Sequence, residues 1–367
     1  MAIKKETIKN TENLSIEVQG LASVSKAVKQ SVVEIKSRDE VRFLVDSYYQ
    51  TQDYRKASDN QIRALKQGAD TGMDDGIPAA LEWLAANKKN EEAQIKKMLE
   101  EYVQAQPIGR WLLDTIGIGP VIAAGLLAYF DIDKASHANQ FWSYAGLNDN
   151  NTPWLGREKA SAQVKEWIKN HPGVDKNDLP IQAVADLAEK NHRNFDSALK
   201  AAKDSDAAKK KKAKDKYTEK SLTSWLAKPP YNRDLKVLCW KIGESFLKVS
   251  NKEGSLYGMQ FRQRLAYETE KNERGEYARE AQRALNSKNF ANKEVRETYE
   301  SGKLPKGHIL ARSKRWAVKL FISHLFEAMY FEKYREEPPV PYAIAYMGHV
   351  DYIPPENDYR EYILGNK

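Results

Sequence analysis

Apolar residues recur at helical spacing along most of the chain, and no stretch shows the two-residue alternation of a half-buried strand. Residues 1–36 are polar with scattered apolar positions, and predict only weak structure. Ser37-Arg38-Asp39-Glu40 has the Ser-x-x-Glu form of a capping box, and Val41, Leu44, Val45, Tyr48 and Tyr49 follow it at helical spacing. That predicts a helix over 39–67. Residues 68–76, with three glycines and three aspartates, read as a turn. A second amphipathic pattern then runs from Ile77 through Leu81, Leu84, Ile95, Leu99 and Val103. Two thin amphipathic helices in succession predict an antiparallel hairpin, which needs a core or a second copy of itself to bury its stripe.

The densest apolar stretch is 112–130, LLDTIGIGPVIAAGLLAYF. Two apolar runs flank Gly117-Ile118-Gly119-Pro120, the pattern of a helix-hairpin-helix. A tight hairpin needs positive φ somewhere, which glycine adopts readily. Pro120 suits a first helical position, where its missing N–H has no partner to lose. The amides that follow, from Val121 on, would then offer a seat for a phosphate. The alternative is that Gly117 and Gly119 only let two core helices pack closely.

Residues 137–147, HANQFWSYAGL, predict a short helix that Gly146 can terminate. Residues 148–157 read as a loop. Helices are predicted over 161–170 and 179–202, and residues 203–216 carry seven lysines against three aspartates. Such a run is either a solvated face or an arm along a polyanion. Pro229-Pro230 restarts the chain, with Asn232 as an N-cap for a helix bearing Leu235, Leu238, Ile242 and Phe246. One charged helix is predicted over 257–285. Between Glu300 and Glu327 there is no carboxylate, and His308, Arg312, Arg315 and Lys319 stand at i, i+4, i+7 and i+11. One stripe of that kind fits phosphate contact, or an ordinary solvated face. The proline- and tyrosine-rich stretch 338–355, PPVPYAIAYMGHVDYIPP, predicts extended chain.

The expected fold is all-α. Its expected parts are a weakly structured N-terminus over 1–36, a helical hairpin over 37–105, a helix-hairpin-helix core over 106–202, a basic linker over 203–228 and a helical C-terminal part over 229–367. The 367 residues hold 59 Lys and Arg against 51 Asp and Glu, a net charge of +8, which favours a polyanionic partner. A single cysteine, Cys239, excludes an internal disulfide and a multi-thiolate zinc site; its apolar neighbours mark it as a buried thiol. No run approaches the ~20 apolar residues of a membrane helix. The expectation is a soluble, cytoplasmic protein with no membrane partner.

Catalytic patterns are missing. The six histidines do not cluster, and His324 falls on an apolar helix face. The acids near the N-terminus lie on a helical pattern, whereas a two-metal nuclease site of the ribonuclease-H type projects carboxylates from strands. No phosphate-binding Gly-rich loop or nucleophile elbow occurs. The sequence therefore reads as a binding protein with no catalytic site, no metal and no cofactor.

IGIGPVIAAGLLAYF, followed by FWSYAGLN at 141–148, resembles the helix-hairpin-helix domain that ends guide-RNA-dependent insertion-sequence transposases carrying a DEDD catalytic domain. That domain is similar to the Nop domain of box C/D ribonucleoproteins, which grips a kinked RNA and dimerises through a helical coil. Residues 229–249, 308–326 and 346–355 look like stand-alone relatives of it. The whole is similar to the Nop-domain Tas proteins of tandem interspaced guide RNA systems, over about residues 77–355. The transposase pattern is departed from in two places: no DEDD domain precedes the hairpin, and Thr152 carries the one hydroxyl in 148–152, where the transposases place a serine.

The resemblance implies a nuclease-free ribonucleoprotein component. Its partners would be a small guide RNA with box C/D-like motifs, target DNA, and a second copy of the chain held through the helical hairpin. Gly117, Gly119, Val121, Arg157, Lys159, His308, Arg312, Arg315 and Lys319 are the candidates for backbone contact. Trp142, Tyr144 and Trp154 are the candidates for stacking on unpaired bases. Two rivals stay open: a DNA-processing enzyme with an unrecognised site, and a nonspecific DNA-binding accessory protein.

Overall fold

The computed structural model describes residues 35, 37–68, 79–148, 155–191, 217–287, 290–340 and 352–365. Trp154, the lysine run at 203–216 and His349 lie outside them. Fourteen α-helices and no strand occur among the described residues, so the protein is all-α. The chain divides into two units, one through Val103 and one from Gln104.

The first unit carries α1 (Arg38–Gly68) and most of α2 (Ala79–Gln104). Ser37 caps α1, its Oγ accepting the Glu40 amide at 3.2 Å. Thr51 meets Glu91 and Tyr54 meets Lys88, the descending order of an antiparallel pair. At the centre Arg55 donates to Glu92 at 2.6 Å, and Gln52 donates to the same carboxylate at 3.0 Å. Burial pushes the Glu92 carboxyl up, but these donors outweigh it and hold it below its usual range. The buried stripe is thin: Val41 and Val45 on α1, and Ala85, Ile95, Leu99 and Val103 on α2. Phe43, at 70% exposure, and Trp83, at 50%, face outward.

The second unit is built around α13 (Lys306–Tyr334), 29 residues and so about 43 Å long. α9 (Arg233–Lys248), α10 (Leu256–Glu273), α5 (Ala138–Tyr144) and α14 (Tyr359–Ile363) pack on it. Phe321 of α13 stacks on Trp111 and takes Phe246 and Tyr257 edge-on, while Phe326 meets Phe141. The hairpin helices α3 (Pro107–Asp114) and α4 (Pro120–Tyr129) lie in this core. α4 is apolar on every face, and it is buried from Ala123 to its end, as such a helix must be. The 3₁₀ turn Ile132–Lys134 leads into α5, and Gly146 ends α5 at φ +65°, with Leu147 N–H reaching the Trp142 carbonyl.

A second cluster joins α6 (Arg157–Asn170), α7 (Ile181–Lys190) and α8 (Glu219–Leu226) through Val164, Trp167, Val184, Leu187, Leu222 and Leu226. Leu179 pairs with Tyr217 as an isolated bridge at its edge. Here the expected linker over 203–228 is corrected: α8, inside it, is a core helix. Its signal was Leu222, Trp225 and Leu226 at helical spacing behind the capping residue Thr218, which the lysine run obscured.

The single helix expected over 257–285 is two. Gly275, at φ +76°, ends α10, with Gly275 N–H on the Asn272 carbonyl and Glu276 N–H on the Lys271 carbonyl. α11 (Ala278–Ser287) and α12 (Lys293–Glu300) then form a small core with Tyr277, Leu304 and Ile309. Of the stretch expected to be extended, 338–355, residues 341–351 lie outside the described residues; beyond it comes α14, capped by Asp358, with Tyr359 and Tyr362 buried.

Candidate nucleic-acid interface

The hairpin loop separates its two glycines. Gly117 holds φ +100°, and a Cβ there would meet Phe246 Cδ1 and Val249 Cγ2, each at 3.2 Å. Its carbonyl accepts the Ser245 hydroxyl at 2.5 Å, and the neighbouring Ile116 amide donates to Glu356 Oε1 at 2.7 Å. Gly117 is therefore packed against protein. Gly119 is an N-cap in ordinary extended backbone (φ −100°, ψ 171°), with nothing within 4 Å of a Cβ and no side-chain cap on the helix it opens. Of the amides expected to seat a phosphate, those after Gly119 open at a half-buried position, although the Val121 side chain is buried.

The basic stripe on α13 has an internal partner in its middle. Arg312 Nε donates to Glu268 at 3.0 Å, and Arg264 and the Tyr277 hydroxyl hold the same carboxylate, which is 1% exposed. Burial alone would raise the pKa of Glu268; Tyr277 and the two guanidiniums outweigh it and hold the carboxyl below its usual range. Arg312 is thus a counter-ion to a buried carboxylate. Glu268 stands three residues beyond Leu265 and seven beyond Phe261, on the inner face of α10. A carboxylate there needs a cation, and the acid-free segment supplied it. His308 Nδ1 lies 3.2 Å from the Tyr299 hydroxyl. Arg315 is exposed.

Lys319 and Trp142 come together across 177 residues: the indole N–H donates to the Lys319 carbonyl at 3.0 Å, and Lys319 Nζ lies 5.3 Å from the ring centroid. Trp142 is half-buried, so its indole is committed largely to α13. Tyr144 is 42% exposed. Its hydroxyl accepts from Asn232 Nδ2 at 3.0 Å and its carbonyl accepts the Asn232 amide at 2.9 Å. Asn232 also caps α9 through the Leu235 amide. Tyr144 therefore fixes the turn that opens α9.

That turn forms one wall of a groove. A cavity of about 560 Å³ is lined by Arg157, Ser224, Lys228, Tyr231, Asn232, Arg233 and Asp234, among others. A second, of about 590 Å³, is lined by Arg157, Ser161, Lys176, Thr218, Glu219, Lys220 and Ser224, among others. Arg157 and Ser224 belong to both, so the two form one groove across α6 and α8. Five cations line it against Glu219 and Asp234. Arg157, Lys176, Lys220 and Arg233 are exposed and make no ion pair among the described residues. Lys159 is exposed on the first turn of α6 and does not line the groove.

The structure thus brings Arg157 and, through Asn232, Tyr144 to one groove. It leaves Gly119 at the hairpin loop and His308 and Arg312 at the far end of α13. Lys176, Lys220, Lys228 and Arg233 were missed because they come from four separate turns and helix ends, with no spacing to connect them. No helix is long and apolar enough to cross a membrane, and no group of three potential metal ligands occurs, among the described residues. Cys239 is buried, and burial pushes its thiol up to about 12. No family model, curated protein or solved structure matches the chain.

Proposed function

We propose that the protein binds a small guide RNA and carries it as a ribonucleoprotein that recognises DNA by base pairing, without a nuclease of its own. The observation that carries this reading is the groove: five cations from α6, α8, the start of α9 and two intervening turns line one concave surface, against two carboxylates. Lysines and arginines around a cleft suit a phosphate backbone, which is contacted without regard to sequence. Sequence discrimination would then fall to the guide. The hairpin loop at Gly119 adds uncapped amides, and the exposed Phe43 and Trp83 of the first unit suit self-association into a homodimer.

Purification from a bacterial host carrying the native locus tests this. A discrete small RNA should co-purify, and sequencing it should show a repeated two-part spacer. Protein that comes out free of nucleic acid would sink the reading. The same cluster of cations also favours a second reading, a nonspecific accessory protein on duplex DNA. That one predicts duplex affinity without RNA, and a duplex that competes as well as the RNA does.

A further inference from the structure

One face of α9 leads away from the groove. Arg233, which lines the groove, is followed at helical spacing by Val237 and Trp240, with Lys236 beside them. Trp240 is 61% exposed and Val237 54%, while Leu235, Leu238, Cys239 and Ile242 on the opposite face are buried. An aromatic this open, with its own helix anchored on the other side, has no packing role among the described residues of the second unit. Seven residues of helix place it about 10 Å along the axis from Arg233, on nearly the same azimuth. The cations along this path are set: Lys236 Nζ lies 4.1 Å over the Tyr231 ring, and Tyr231 is itself a groove residue. Glu244 shares the face one turn beyond Trp240, but Lys314 of α13 pairs with it and removes the repulsion a free carboxylate would offer a phosphate.

We infer that Trp240 is a stacking platform for an unpaired nucleotide of the strand whose phosphates lie in the groove, with Arg233 and Lys236 tracking the backbone between them. The occupant is single-stranded nucleic acid, because an indole face accepts any base but only once that base has left its duplex. Charge complementarity selects it over a protein partner: the apolar spot is reached along a path of cations. This inference rests on the nucleic-acid reading of the groove.

The test uses the full chain, a short fluorescein-labelled oligouridylate, and a blunt RNA duplex of equal length. Trp240→Ala should weaken oligouridylate binding about tenfold or more and change duplex binding by less than about twofold; Trp240→Phe should retain most of the affinity. Circular dichroism and thermal melting should be unchanged for both, since the side chain is exposed. Wild type that binds the oligouridylate no better than Trp240→Ala overturns the platform and leaves the groove standing. Wild type that binds neither RNA overturns both. A change in mass by light scattering on Trp240→Ala, with RNA affinity intact, assigns the residue to a protein contact instead.

Discussion

The Glu356 carboxylate accepts the amide of Ile116, 240 residues earlier, at 2.7 Å, and with its other oxygen accepts the amide of Leu256 at 2.9 Å. One side chain thus joins the C-terminal segment to the end of α3 and to the first residue of α10, where the helix dipole also favours a negative group. The Trp111 indole donates to the Asn357 carbonyl at 2.8 Å, and Tyr362 donates to Asp114 at 2.7 Å, so the segment is fastened along its length. Glu356→Ala strands two backbone donors and should destabilise the second unit by about 1–3 kcal/mol. Glu356→Gln keeps one acceptor and should lose less. Urea midpoints of the two variants measure this; equal midpoints with wild type would show that water replaces the carboxylate at no cost.

The two hairpin glycines should respond differently. Gly117→Ala must hold φ +100° and press on Phe246 and Val249 at 3.2 Å, which costs about 1–3 kcal/mol. Gly119→Ala meets nothing within 4 Å and keeps an ordinary extended backbone, so its cost should be limited to the N-cap preference for glycine over alanine, under about 1 kcal/mol. Thermal melts of the pair decide this, and a large loss at Gly119 would overturn the open geometry described for it.

Arg312 is expected to matter for folding. Arg312→Ala removes one of two guanidiniums from Glu268, which is 1% exposed, and should destabilise by about 3 kcal/mol. Adding Glu268→Gln to it should recover part of the loss, because the uncompensated charge is then gone. Denaturant titrations of the single and double variants give the coupling. A stable Arg312→Ala with weakened RNA binding would assign Arg312 to phosphate contact instead.

Helices with a one-sided apolar stripe were legible in the sequence, because periodicity reports burial directly. Asn232 as the cap of α9, Gly146 as the end of α5 and His324 as a core residue all follow from that logic. What escaped was set by partners far along the chain. Nothing near Arg312 announces Glu268, 44 residues away, and the stripe of cations looked exposed until its counter-ion was placed. The break at Gly275 was hidden because the charged pattern continues through it. The groove escaped for the same reason: its cations share a surface only after α6 and α8 pack around Val164 and Leu222.

Removing two groove cations should change the salt dependence as well as the affinity. Arg157 and Lys220 are exposed and make no ion pair among the described residues, so Arg157→Ala with Lys220→Ala should leave the fold intact. The slope of log affinity against log salt for a single-stranded RNA should fall by about 0.7 for each phosphate deprived of its cation. Fluorescence anisotropy across a salt series reads it. An unchanged slope would mean that phosphates do not enter the groove.

Acid should weaken the fold through His324. The ring is 1% exposed, with Nδ1 at 2.8 Å from the Tyr257 hydroxyl and Nε2 at 2.8 Å from the Ile353 carbonyl. Burial lowers its pKa to about 4, against which the Ile353 carbonyl works only weakly. The unfolded chain therefore binds a proton that the folded chain refuses between about pH 6.5 and about 4. Stability from this group is complete above the upper value and lost as pH falls through the lower one, by at most about 3 kcal/mol. Glu327 opposes it: burial raises its pKa, although Tyr352 donates to it at 2.7 Å, so it favours the folded state as pH falls through the same region. The wild-type curve alone mixes the two signs. Comparison with His324→Gln separates them, since that variant keeps Glu327 and loses only the histidine. Near neutrality the variant should be less stable by about 1–3 kcal/mol, having given up a buried hydrogen bond. Towards pH 4 the gap should close, because wild type alone pays for protonation there; a gap of constant size would mean that His324 is not the group that titrates.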